Sequence, residues 1–497
     1  MGRIPAKIQG YRKWDLPGPV STMDRISRIV EGRLAWEVAR FGFPLALGMA
    51  LQTTFNLVDA YLIAQLPAAE VGPAMGALGI CDQLAALGTI LSYGITTGAT
   101  SILSLRAGAG DEAGVRRVAW QSTLLVAALG AIFLVIGVGF AAPIVREVVG
   151  AQGEVASLAA RTLRISVGGS FTIFFLLHLT GIQRALGSAK TPVALLVLGN
   201  VVNVVLAMVL IFGPGPTPRG LGWASELAAA LHLPRLGMIG AAWATVVARA
   251  IVLVPNVVVV AKRFGLFVPP RGARGPDRTE LARIVSIAWP SSTQFAVRIL
   301  SMLLTSSLVA RAFTTDADQI ASTAMGLVFR LDTFALFVGM GWGSAAQTFV
   351  GQNLGAGHRA RARRAGAIAA AYDALSNVVI AAVAALWGAR LLALFDDDPA
   401  PLAIATRYLA IVAPAYIGLG MGIVLGSAMA GAGATATTLR VDLAIVLGVQ
   451  TPLSIAVVAS GGSLPALFAC VATAHVASAI AYGGVYARGR WSEMIRA

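Results

Sequence analysis

Apolar stretches long enough to form membrane helices recur along the whole chain. They fall at residues 41–64, 74–105, 118–141, 162–184, 192–212 and 237–261, then at 283–312, 320–350, 364–388, 405–430, 439–459 and 464–486. A helix needs about 20 such residues to cross the hydrocarbon core of a bilayer. Helix is the economical form there, because lipid offers no partner to an open backbone group. The ten-residue alternation of an outer-membrane barrel is not found in the sequence. The pattern therefore predicts an all-α polytopic membrane protein with twelve transmembrane helices. One polar interruption is unusually long, residues 213–236, opening with Gly-Pro-Gly-Pro-Thr-Pro. A short amphipathic helix is expected within it at residues 223–231. The segment reads either as an interfacial insertion or as a lid over the outer mouth.

Composition agrees with the pattern. The 497 residues are 57% hydrophobic and 12% charged, with a mean hydropathy of +0.78. A soluble globular chain carries about 25% charged residues. The apolar bias also excludes a disordered chain. Two cysteines, Cys81 and Cys470, lie inside apolar runs and cannot build a disulfide scaffold. The net charge of +15 would suit nucleic acid. Its basic residues lie between apolar runs rather than on one face, so no nucleic-acid partner is expected. Their placement sets topology instead. With the N-terminus inside, 27 of the 38 Lys and Arg residues fall on the inner side, 8 on the outer side and 3 within spans. The polar opening segment lacks the apolar core and cleavage site of a secretory leader, so the first span should remain as an anchor. Both termini are expected to be cytoplasmic, in a cell (inner) membrane.

The two halves repeat. Gly94, Gly108 and the Arg116-Arg117 pair recur 247 positions later as Gly341, Gly355 and Arg363-Arg364, and Pro44 recurs 246 positions later as Pro290. Six spans per half is an even number, so both halves enter from the same side. Two parallel six-helix repeats around a central cavity follow, an arrangement of alternating-access transporters. The expected divisions are a cytoplasmic N-terminal segment 1–40, an N-lobe 41–261, a basic cytoplasmic linker 262–282 carrying Pro269-Pro270, a C-lobe 283–486 and a tail 487–497.

No enzyme chemistry is visible. His178, His232, His358 and His475 are scattered, without Cys or carboxylate at metal-ligand spacing. Neither a phosphate-binding loop nor a dinucleotide fingerprint occurs. No metal or cofactor is expected, and an ion gradient is the default energy source.

Ionisable residues inside spans are costly and mark functional candidates. Gln52, Asn56 and Asp59 follow i, i+4, i+7 spacing in span 1 and share one helix face. A desolvated carboxylate at Asp59 suits proton loading; the rival reading is a helix-packing hydrogen bond near the outer interface. Asp82 in span 2 either faces the cavity or reaches the outer interface. Asn200 and Asn203 share a face of span 5 and could glue helices as well as bind ions. Arg298 in span 7 needs a carboxylate, an anionic substrate group or water. Arg330 and Asp332 could compensate each other's charge. Asp373 with Asn377, and Asp442, read as structural groups near cytoplasmic ends, and Arg249 has no assigned role.

Several segments carry a resemblance: Asn56-Leu57-Val58-Asp59, GATSILSLRAGAGD from Gly98, QRALGSAKTP from Gln183, GNVVNVVL from Gly199, IGAAWAT from Ile239 and TFVGQNLGAGHRARARRAG from Thr348. In order and spacing, over residues 44–486, they make the chain similar to the multidrug and toxic compound extrusion (MATE) transporters. The resemblance implies two six-helix lobes and efflux of a small organic substrate against a proton or sodium gradient. It maps a cation-coupling site onto Asp59, Thr180, Asn203 and Thr245. The polar residues Gln52, Asn56, Asp82 and Arg298 are the candidates for the substrate cavity. Departures are specific. The family's second N-lobe carboxylate falls on Ala207. Sodium-coupled members' glutamate in span 7 falls on Arg298, and their aspartate in span 10 on Leu419. One carboxylate can carry one proton but makes a thin sodium cage, so H+ is expected ahead of Na+ as coupling ion, through Asp59. Arg298 would repel a cation unless paired, which leaves an anionic or zwitterionic substrate open. The alternative function is a flippase for a lipid or lipid-linked oligosaccharide. A monomer is expected.

Overall fold

The computed structural model describes residues 22–218, 220–265, 274–315, 318–393 and 398–493, apart from the side chains of residues 23, 53–57 and 263. Residues 266–273 of the 262–282 linker, including Pro269-Pro270, lie outside the described residues. A short helix α1 (Thr22–Glu31) precedes the first half, which runs α2 (Leu34–Ala64), α3 (Ala68–Ala109), α4 (Glu112–Pro143), α5 (Gly153–Gly168), α6 (Phe171–Ala185), α7 (Lys190–Phe212), α8 (Gly222–Ala230) and α9 (Met238–Phe264). The second half runs α10 (Arg278–Ala312), α11 (Ile320–Gly355), α12 (Arg359–Leu392), α13 (Pro399–Val412), α14 (Tyr416–Gly431), α15 (Thr435–Ile445), α16 (Thr451–Ala459) and α17 (Leu464–Arg488). Twelve candidate spans result among the described residues, as the apolar pattern predicts.

Two spans differ from simple apolar rods. The fourth is broken into α5 and α6 at Gly168-Gly169-Ser170, and the tenth into α13 and α14 by a tight turn over Ala413–Ala415. Pro414 explains the second break, since it has no N–H to continue the helix. At the first break Gly169 packs under Val246 of α9, where a Cβ would lie 2.6 Å from the valine side chain. The eleventh span unwinds by one wide turn at Val446–Gln450, between α15 and α16.

The buried cores show how the halves meet. One core, around Leu62, Phe133, Phe174 and Phe212, belongs to the first half, and another, around Val328, Tyr408 and Phe468, belongs to the second. A third is shared: Leu45 and Ala46 of α2 pack with Trp342, Ala345 and Phe349 of α11. In a fourth, Ile284 and Ile287 of α10 join Ile102 and Leu103 of α3. The shared cores lie at the terminal end, where α1 and the last turn of α17 meet the start of α12: Arg361 donates to the carbonyls of Ile29 and Gly32, and Arg363 to that of Ala487. Hydrogen bonds stitch the same end: Gln347 Nε2 to the Thr97 carbonyl (3.0 Å), Ser101 Oγ to the Ala430 carbonyl (2.7 Å) and Gln352 Nε2 to the Ala185 carbonyl (2.7 Å). The halves are closed against each other at this terminal end.

The helix expected at residues 223–231 is α8. It seats Ala224 and Ala228, one turn apart, against Val209 of α7. Its small buried face makes it a packed flank of its own half.

Candidate functional site

Asp59 lies on α2 facing α7 and α9. Asn203 of α7 points its amide nitrogen at both carboxylate oxygens, 3.0 Å from Oδ1 and 3.1 Å from Oδ2. Thr245 Oγ1 of α9 is 3.5 Å from Oδ2 and 3.0 Å from the Ala241 carbonyl. A hydroxyl has one hydrogen. It can go to the Ala241 carbonyl or, at the longer distance, to Asp59. The site thus offers the Asn203 amide and the Thr245 hydroxyl as donors to an ionised carboxylate, and the hydroxyl oxygen as an acceptor to a protonated one. Asn200 Nδ2 and Asn203 Oδ1 are buried without a hydrogen-bond partner, so unused polar capacity remains here.

Arg249, one turn beyond Thr245 on α9, lies within electrostatic reach of both Asp59 and Asp82. Its spacing of four from Thr245 was the available signal, but only the fold shows which carboxylates it faces. Asp82 of α3 is exposed and interacts electrostatically with Asp59 and Arg249. Gln52 is half-buried one to two turns before Asp59 on α2. The side chain of Asn56 lies outside the described residues. Ala207 is fully buried one turn after Asn203, in the apolar core of the first half.

Thr180 lies on α6. Its hydroxyl turns to the Leu176 and Leu177 carbonyls of its own helix, at 2.8 and 3.0 Å. Its polar hydrogen is used in α6, and the contacts that hold Asp59 come from Asn203 and Thr245. Its expected place among the coupling ligands rests on the resemblance, and no hydrogen bond joins Thr180 to Asp59 among the described residues.

Of the partners that Arg298 could take, the structure shows a carboxylate. Its Nε donates to Asp442 Oδ2 at 2.7 Å and its Nη2 to Oδ1 at 3.4 Å. Tyr482 donates to Asp442 Oδ1 at 2.7 Å and receives a bond from Gln294 at 2.8 Å. Arg298 sits in the wall between two spaces: a cavity inside the second half and a smaller one between the halves. The larger, about 90 Å³, is also lined by Asp332, Tyr408, Leu419, Gln450 and His475. Asp332 receives hydrogen bonds from Tyr408 and Tyr416, each 2.5 Å, so two tyrosines answer its charge. No group of three or more metal-ligating side chains occurs among the described residues.

Twelve spans in two parallel halves, closed at one end and holding a half-buried polar site in the first half, define a two-lobed polytopic membrane transporter. The family model described as MatE matches residues 44–209 and again 290–456, and the chain belongs to that family. The chain is 26% identical to the probable multidrug resistance protein YpnP of Bacillus subtilis, across 80% of this chain and 82% of that protein. It is 23% identical to the FAD transporter of Shewanella oneidensis, across 83% and 85%. A solved structure described as the outward-facing conformation of a multidrug resistance MATE family transporter matches with a TM-score of 0.82 at 20% identity, covering 94% of this chain and 98% of that one. The second matched segment starts at Pro290, the repeat of Pro44.

Proposed function

We propose that the protein is a secondary active efflux transporter that exchanges a small organic compound for protons, with Asp59 as the proton carrier. The observation that carries this reading is the three-sided setting of Asp59. Ionised, the carboxylate accepts from the Asn203 amide, whose N–H is shared between its two oxygens, and feels Arg249. Protonated, its O–H has the Thr245 oxygen within reach. The site can hold either state, and the two states bind the neighbouring helices differently. That difference is what an antiporter needs to bias one lobe arrangement over another. Sodium is the weaker candidate, because Ala207 stands where a second carboxylate would complete a cage.

The basic-residue asymmetry supports cytoplasmic termini. The closed terminal end then corresponds to a state closed to the cytoplasm. The lobes 41–261 and 283–486, joined by the linker, would rock about the central cavity in a monomer. The Arg298–Asp442 pair changes the substrate expectation. A neutralised Arg298 supports neither an anion-selective cavity nor the cationic vestibule that a pyrophosphate-bearing lipid would need, so the flippase reading loses ground. A neutral or cationic organic compound fits better, in keeping with multidrug relatives.

The test is proton flux in reconstituted vesicles with an acidic, dye-loaded interior. Addition of candidate organic cations should drive alkalinisation with the wild type and none with Asp59→Asn. Equal signals from both proteins would remove Asp59 from coupling. A signal requiring a sodium gradient would replace the proton by sodium.

A further inference from the structure

One cavity near the terminal end has no part in this transport chemistry. It is a cavity of about 230 Å³ between α1, the start of α2 and the α6–α7 turn. Arg25, Arg28, Arg40 and Lys190 line it, with Glu37 as the acid among them, 4.0 Å from Arg40. The turn is held against α1, since Gly187 packs onto Arg25 and Ile29. Basic residues outnumber acidic ones four to one along this lining. A concave basic site of this kind suits an anion.

The helices beneath it identify the kind of anion. On α2, Trp36, Arg40, Phe43 and Leu47 follow i, i+4, i+7, i+11 spacing, and all four are exposed. On α7, Lys190, Ala194, Leu198 and Val201 follow i, i+4, i+8, i+11 spacing, and all four are exposed. The two helices pack against each other and both start at the terminal end. Two apolar stripes thus run side by side, each headed by a cation at the same end. Trp36, 64% exposed beside Arg40, sits as tryptophans do at the headgroup level of a bilayer. The first turn of α7 adds a helix N-terminus without a side-chain cap. A soluble phosphate would use the cations and ignore the stripes. An acyl chain uses both.

We propose that this cavity and the α2–α7 groove bind one anionic phospholipid. Its phosphodiester headgroup meets Arg40, Lys190 and Arg28, and its acyl chains lie along the two exposed stripes. Basic pockets between transmembrane helices are suited to such headgroups. The experiment is native mass spectrometry of the full chain titrated with phosphatidylglycerol or phosphatidylcholine. The wild type should retain phosphatidylglycerol selectively. Arg40→Gln and Lys190→Gln should each weaken retention roughly fivefold, while Arg40→Lys with Lys190→Arg retains it. Arg146→Gln, a charge removed at the other end, should change nothing. Equal retention of both lipids, or equal retention by wild type and the Gln variants, would overturn the proposal. So would an equal loss in Arg146→Gln, which would show diffuse charge and no site. Inorganic phosphate that binds the wild type with the same variant dependence, in the absence of lipid, would make it a soluble-anion site instead.

Discussion

Gly108 and Gly355 each press against the main chain of the opposite half, and each does so at the other's equivalent place. Gly108 meets Gln352, and Gly355 meets Leu105. The repeat interval of 247 carries Leu105 onto Gln352 and Gly108 onto Gly355. The contact is therefore reciprocal, as across a two-fold axis. A Cβ on either glycine would overlap a carbonyl oxygen of the other half. Backbone cannot move aside as a side chain tip can, so these glycines set how closely the terminal end shuts.

A branched residue at either place should wedge that end open. Overpacking of this kind costs about 1–3 kcal/mol. Gly108→Val is expected to lower the closed population, and Gly355→Val to do the same to a similar degree, because the contact is symmetric. Spin labels at Ala109→Cys and Gly357→Cys, in a background lacking Cys81 and Cys470, would report the distance. An unchanged distance distribution in both variants would show that the glycines do not set the closure.

The contacts around Asp59 predict an order of effects. Asp59→Asn should abolish proton-coupled export. Asn203→Ala removes the amide donor shared by both carboxylate oxygens and should cut transport at least tenfold; a bond to a charged group is worth about 1.5–3 kcal/mol. Thr245→Val touches a longer contact and should cost roughly two- to threefold by the same scale. Thr180→Val should transport as wild type, since that hydroxyl serves its own helix. Initial rates in proteoliposomes at matched protein density rank the four. A Thr180→Val defect as severe as that of Asn203→Ala would restore Thr180 to the site.

The apolar pattern made the twelve spans legible, and the repeat of Gly94 and Gly108 as Gly341 and Gly355 marked the faces where the halves meet. The breaks in spans four and ten were not legible as breaks. Gly168-Gly169-Ser170 and Ala413-Pro414-Ala415 sit inside runs that as a whole remain apolar enough to cross a membrane. Hydropathy measures lipid compatibility, while the breaks come from backbone hydrogen bonding and close packing. At the site, Asp59 and Asn203 could be marked because each stands on a polar helix face. Their partners could not all be named. Asp442 lies 144 positions from Arg298, and Arg249 faces Asp59 from a helix 190 positions away. Such pairings depend on helix rotation and tilt, which a periodic pattern leaves free. Thr180 shows the converse: matching a family position placed the residue, but not the direction of its hydroxyl.

The Arg298–Asp442 pair should behave as a buried ion pair. Side-chain exposure is 20% for Arg298 and 6% for Asp442. Removing one partner strands the other charge, at about 3–5 kcal/mol, whereas replacing both with apolar residues of similar size is often close to neutral. Arg298→Met alone and Asp442→Leu alone should each lower the thermal midpoint of the purified protein. The double variant should recover most of the loss. If Arg298→Met is as stable as wild type while substrate binding falls, the arginine serves the substrate and not Asp442.

Asp332 sets the last expectation, because its two donors are both tyrosines. Tyr408 and Tyr416 come from α13 and α14, on either side of the break in the tenth span, and converge on one carboxylate of α11. Each phenol alone leaves the carboxylate one hydrogen bond, so Tyr408→Phe and Tyr416→Phe should each be tolerated at about 1–3 kcal/mol. The double Phe variant leaves the carboxylate with neither bond and should lose more than the sum of the single losses. Adding Asp332→Leu to it removes the stranded group and should restore stability. A double-mutant cycle read by thermal unfolding in detergent measures the coupling. Simple additivity would show that the tyrosines act on packing alone, and that the broken tenth span is not pinned through Asp332.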